Sequence, residues 1–128
     1  MIGWLLNFFE KNQVFSWLVT IIIAILIFYI SSLTFPGGGG TSYLSYIYHF
    51  TAFSYLALFL SISLAKGKQS NLIFLSVVLA VIYGISDEIH QYFVPGRFLS
   101  FKDFLINSIG ILITSIAYTH YCIRNRKR

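Results

Sequence analysis

The sequence predicts an all-helical, polytopic membrane protein that crosses the bilayer four times, with both ends of the chain on the inner side. Three observations predict this. Of 128 residues, nine are basic and four acidic, so 10% are charged, while 57% are hydrophobic and 19% aromatic. Soluble domains of this size carry about 25% charged residues, so too few charges are present to cover a water-facing surface. A disordered chain would be charge-rich and aromatic-poor. Second, the charges are separated by long gaps: 54 residues between Lys11 and Lys66, 18 between Lys68 and Asp87, and 20 between Asp103 and Arg124. Third, basic residues collect at alternate ends of those gaps.

A helix needs about 20 largely apolar residues to cross the hydrocarbon core, so the two shorter gaps hold one span each. The 54-residue gap holds two spans and a connector, marked by Pro36 and the run Gly37-Gly38-Gly39-Gly40, which no helix would tolerate. Spans are expected at about 14–33, 44–64, 70–91 and 103–123. Residues 19–29 (VTIIIAILIFY) are apolar all round, without the polar stripe of a soluble bundle helix. The first span is too long for a signal peptide, has Glu10 beside Lys11 before it, and lacks a small-x-small cleavage site. It is expected to stay in the chain. Residues 1–9, with Trp4, Leu5, Phe8 and Phe9, are expected to anchor at the membrane interface. No internal repeat is visible, and residues 1–128 are expected to form one domain.

Orientation follows from the excess of Lys and Arg in cytoplasmic loops. Arg124, Arg126, Lys127 and Arg128 follow span four, and Lys66 and Lys68 lie between spans two and three. Arg97 and Lys102 oppose them from the third loop, with acids beside them. Six against two puts the N- and C-termini inside. A basic tail directly after a span is expected to meet anionic lipid headgroups rather than nucleic acid.

This topology brings the strongly polar residues to one depth. His49 near the start of span two, Asp87, Glu88, His90 and Gln91 at the end of span three, and Asp103 and Asn107 at the start of span four all fall in the outer leaflet. Three of the four acids lie within residues 86–103. Asp87, His90 and Gln91 share a helix face at i, i+3 and i+4, with Tyr83 one turn below. Pro95-Gly96 favours the reversing turn, and Gly110 continues the face of Asp103 and Asn107 where helices can approach closely. Ionisable groups at membrane depth cost about 2.5–3.5 kcal/mol each on insertion scales, so the cluster must neutralise itself or line a wet cavity. A scaffold would pair Arg97 with Asp103 or Glu88. A pocket would offer the Arg97 fork to a phosphate or carboxylate and use Asp87 or Glu88 with His49 or His90 as an acid/base pair. The pocket is the stronger reading, because a scaffold has cheaper hydroxyl and amide contacts to use. His49, His90, Asp87 and Glu88 are also donor types suited to zinc or manganese, but the spacing matches no zinc signature, and no cofactor is expected. Cys122, the single cysteine, is expected to pack as a small residue, and His120 to lie at the inner interface without a special role.

At these residues the sequence resembles the VanZ-like family of small integral membrane proteins. The string Asp87-Glu88-x-His90-Gln91-x-Phe93-Val94-Pro95-Gly96-Arg97, then Asp103, Asn107 and Gly110, carries the resemblance. Phe28-Tyr29, Ser31-Ser32, His49-Phe50, Leu56 and Leu58 extend it over about residues 25–112. Ser45 and Tyr46 stand where members of that family often have an acid–base pair, so that salt bridge is absent here. The resemblance implies a multi-span protein associated in some members with low-level teicoplanin resistance. It implies no reaction.

Three function classes fit these observations. The first is a prokaryotic plasma-membrane protein that binds or acts on a peptidoglycan-related or lipid-linked envelope ligand from outside, with glycopeptide resistance as one outcome. The others are a membrane-embedded hydrolase or transferase for a lipid-linked substrate, and a small transporter component.

Overall fold

Hydrophobic runs of 19 residues or more, free of internal proline, have one way to satisfy their backbone in lipid, which is to coil on themselves. The computed structural model describes residues 2–34, 43–66 and 70–126. Its elements are α1 (Ile2–Lys11), α2 (Gln13–Ser31), α3 (Tyr43–Ala65), α4 (Ser70–Tyr92) and α5 (Phe101–Arg126), with no strand among the described residues. The last four are long and apolar enough to cross a membrane. They match the four expected spans to within three residues at each end. The glycine-rich connector at 36–40 lies outside the described residues.

The burial pattern is that of a membrane bundle. Ile25, Phe74 and Ile116 are 60%, 71% and 67% exposed, whereas Ser16, Ser61, Ser63 and Ser76 are wholly buried. The exterior is thus more apolar than much of the interior, which suits lipid and not water. α3 is the central helix and packs on α2, α4 and α5. Its buried face carries His49, Phe53, Leu56, Ala57 and Leu60, then the small pair Ser61 and Ser63. Hydroxyls join the helices: Ser61 Oγ to Ser76 Oγ at 2.6 Å, Thr20 Oγ1 to Ser63 Oγ at 3.1 Å, and the Tyr83 hydroxyl donating to the Ala24 carbonyl at 2.6 Å. Such bonds contribute about 0.6 kcal/mol each in a membrane.

Two glycines set how closely α4 and α5 approach α3. A Cβ on Gly110 would stand 2.7 Å from the Phe50 carbonyl oxygen and 2.9 Å from Ser54 Oγ. The α5 backbone therefore lies directly on α3. At Gly84 a Cβ would meet the Phe53 ring at 3.3 Å.

The N-terminal aromatic segment is a helix folded back against the bundle. Trp4, Leu5 and Phe8 are exposed, while Leu6 and Phe9 pack on a cluster of Ile62, Ala65, Ile73, Tyr118 and Cys122. The Tyr118 hydroxyl donates to Glu10 Oε1 at 2.8 Å, and Phe9 meets Phe59 edge-on. Cys122 is buried in this cluster as a packing residue. His120 is exposed on α5.

A buried polar centre at one end of the bundle

His49 is the seventh residue of α3, Asp87 to Gln91 occupy the final turns of α4, and Asp103 and Asn107 the first two turns of α5. Their interactions bring these three ends together with the last turn of α2. Gly96, with φ of +81°, provides the left-handed residue that turns the chain between α4 and α5. Ser100 then caps α5 by accepting the Asp103 N–H at 3.2 Å.

The polar residues divide into two groups. In the first, His49 Nδ1 lies 3.0 Å from Asn107 Oδ1, and His49 Nε2 lies 3.8 Å from Asp103 Oδ2. Because an amide oxygen only accepts, Nδ1 is the donor to Asn107, and Nε2 is the nitrogen that faces Asp103. Glu88 joins this group: its Oε2 accepts the Ser100 N–H at 3.0 Å, and one ligand atom each of His49, Glu88 and Asp103 lies within 4.8 Å of the others. All three residues are buried, as is Asn107. Glu88 Oε1, Asp103 Oδ1, Asn107 Nδ2 and the Tyr48 hydroxyl are buried without a hydrogen-bond partner among the described residues. Glu88 Oε1, Asp103 Oδ1 and Asn107 Nδ2 thus leave hydrogen-bonding capacity unmet among the described residues of this group.

The second group faces α2. Gln91 Nε2 donates to Asp87 Oδ2 at 3.0 Å and to Ser31 Oγ at 3.3 Å. His90 Nε2 lies 2.9 Å from Ser32 Oγ, and its ring stacks on Phe28 with centroids 4.4 Å apart. The Arg97 guanidinium donates to the carbonyls of Ile30 at 3.0 Å and Leu33 at 3.2 Å, which closes the C-terminus of α2. His49 thus lies against Asp103 and Asn107, and His90 reaches Ser32 at the C-cap of α2. The Arg97 fork expected to hold an anion spends two of its N–H groups on backbone carbonyls in and just after the last turn of α2.

A profile of the VanZ/LLP1 family matches residues 42–123. The chain belongs to the VanZ/LLP1 family. No curated protein and no solved structure matches it. The matched segment contains α3, α4 and nearly all of α5, and with them every residue of the His49–Glu88–Asp103–Asn107 centre. The partners supplied by α2 lie before it. In this VanZ/LLP1 protein the centre is thus built within the family segment, and α2 covers its flank.

Residue types alone do not single out Tyr48 or Ser100. Tyr48 packs edge-on against His49, with centroids 5.4 Å apart. It also walls an apolar cavity of about 460 Å³ between α2 and α3, whose lining includes Leu26, Ile27, Ile30, Leu44 and Ile47. The signal for Ser100 was available in Ser100-x-x-Asp103, a helix-start pattern.

Proposed function

We propose that this VanZ/LLP1 protein binds the polar head of a lipid-linked or peptidoglycan-related molecule at the outer face of a prokaryotic plasma membrane. The single observation that carries the reading is the His49–Glu88–Asp103–Asn107 centre, which is contributed by three helices, buried at one end of the bundle, and left with orphaned carboxylate and amide atoms. Buried ionisable groups at membrane depth are costly and mark functional sites. The apolar cavity between α2 and α3 shares Tyr48 with this end of the bundle. A ligand with a polar head and a hydrocarbon tail matches that pairing. The excess of Lys and Arg after α3 and α5 in the sequence supports an outward-facing centre.

A second reading has its own support. His49 Nε2 and the Asp103 carboxylate, 3.8 Å apart, have the composition of a general acid/base pair, so the same ligand would be hydrolysed or transferred rather than only bound.

Complementation tests the reading. In a strain lacking the gene, Glu88→Gln and Asp103→Asn, present at wild-type level in the membrane, are expected to fail to restore tolerance to envelope inhibitors, glycopeptides among them. Full rescue by both variants would sink it. Purified wild-type protein that releases product from a lipid-linked phosphate substrate, with the loss of turnover in His49→Gln, would favour the enzymatic reading.

A further inference from the structure

We infer that His49, Glu88 and Asp103 form a binding site for one divalent transition-metal ion, zinc or manganese. This goes beyond the envelope-ligand reading and does not depend on it. Three features of the centre point to a metal.

The first is the donor set. One imidazole nitrogen and two carboxylates, from three different helices, present ligand atoms within 4.8 Å of one another. Imidazole with carboxylate is the ligand chemistry of zinc and manganese. The second is spacing. Donors about 2.0–2.2 Å from an ion stand about 3–3.6 Å apart around it. His49 Nε2 and Asp103 Oδ2, at 3.8 Å, are too far apart for a hydrogen bond but only a few tenths of an ångström beyond that spacing.

The third is the support of the ligands. Metal-binding histidines donate the other ring N–H to an oxygen acceptor, which fixes the tautomer. His49 does so through Nδ1 to Asn107 Oδ1. Glu88 is held by the Ser100 N–H, and Asp103 is held at the first turn of α5 by the same residue. Each carboxylate keeps one oxygen, Glu88 Oε1 and Asp103 Oδ1, buried and unpartnered among the described residues. Buried carboxylates persist when they are paired or coordinate a metal. Three protein ligands leave a coordination position open, the arrangement of reactive rather than structural sites.

The test uses the full chain purified in detergent with a histidine-free affinity tag, stripped by chelator and reloaded with zinc or manganese alone. Elemental analysis is expected to give about one ion per chain, since three ligands define a single site. Competition with a chromophoric chelator is expected to show losses on the order of 100-fold in Glu88→Gln and Asp103→Asn, and about 10–100-fold in Asn107→Ala through the orienting bond. His120→Ala, which removes an exposed imidazole outside the centre, should bind like wild type. Wild-type protein that retains no stoichiometric ion after reloading overturns the inference, whether or not the variants fold. Equal affinity in wild type, Glu88→Gln and Asp103→Asn overturns it as well. No envelope lipid enters this measurement, so its failure leaves the ligand reading intact, and failed complementation would leave the metal site intact.

Discussion

Glu88, near the end of α4, accepts the backbone N–H of Ser100, the residue that caps α5, at 3.0 Å. In a helix-capping box, the acid three residues after the cap returns this bond from within its own helix. Here Asp103 holds that position but faces His49, and α4 supplies the acceptor instead. One substitution of partner thus fixes the α4–α5 turn and releases a carboxylate into the polar centre.

Ser100→Ala is expected to lower stability by about 1 kcal/mol, the usual cost of losing an N-cap, and Ser100→Thr to restore most of it. Thermal unfolding in detergent micelles checks this. Glu88→Gln keeps an oxygen for the Ser100 N–H and should unfold close to wild type. Glu88→Ala leaves that N–H without its acceptor and should cost about 1–3 kcal/mol.

Gly110→Ala is expected to be more damaging than its size implies. The added Cβ would stand 2.7 Å from the Phe50 carbonyl, which is backbone and cannot turn aside. α5 must move off α3, at about 1–3 kcal/mol for overpacking, and Asn107, one turn away, must loosen its bond to His49. Combining it with Ser54→Ala removes the 2.9 Å contact but not the 2.7 Å one, so only partial recovery of the melting temperature is expected.

The same close approach explains what sequence alone resolves and what it does not. Four spans are legible because charge gaps reflect solvent, a property of composition along the chain. The meeting of His49, Glu88 and Asp103 at one end of the bundle is legible too, since topology alone brings them to one depth. Which α4 acid joins His49 and Asp103 is not. Asp87 and Glu88 are adjacent and differ by about 100° around α4, and either fits a polar face. The choice depends on how α3, α4 and α5 are rotated against one another, which Gly84 and Gly110 set through non-local contacts. Arg97 is similar. Its chemistry announces a fork, but only the position of the α2 terminus shows that the fork closes on the Ile30 and Leu33 carbonyls.

Tyr118→Phe is expected to loosen α1 without disturbing the spans. The lost hydroxyl donates to Glu10 at 2.8 Å, a bond to a charged acceptor that contributes about 1.5–3 kcal/mol. Faster hydrogen exchange at amides of residues 3–11, with unchanged exchange in α3 and α4, is the expected pattern. Uniformly faster exchange would mean that Tyr118 supports the whole bundle.

Arg97→Lys should separate charge from shape. Lysine retains the positive charge but lacks the planar fork that reaches two carbonyls at once. If the fork's task is to close α2, the lysine variant should show faster exchange in the last turn of α2 and a melting temperature between those of wild type and Arg97→Ala. If the charge alone mattered, the lysine and wild-type proteins would be indistinguishable.

Sidedness is the prediction on which the outward reading of the centre depends. Phe98, in the turn between α4 and α5, is 73% exposed and precedes the Ser100 cap, so Phe98→Cys should fold normally in a Cys122→Ala background. The excess of Lys and Arg after α3 and α5 in the sequence leads to the expectation that the opposite end of the bundle lies inside. A membrane-impermeant maleimide is therefore expected to label Phe98→Cys in intact cells, whereas Arg124→Cys should react only after the inner face is opened. The reversed pattern would place His49, Glu88 and Asp103 at the cytoplasmic surface. The ligand would then have to be sought among inner-leaflet lipids and their precursors, with the geometry of the centre unchanged.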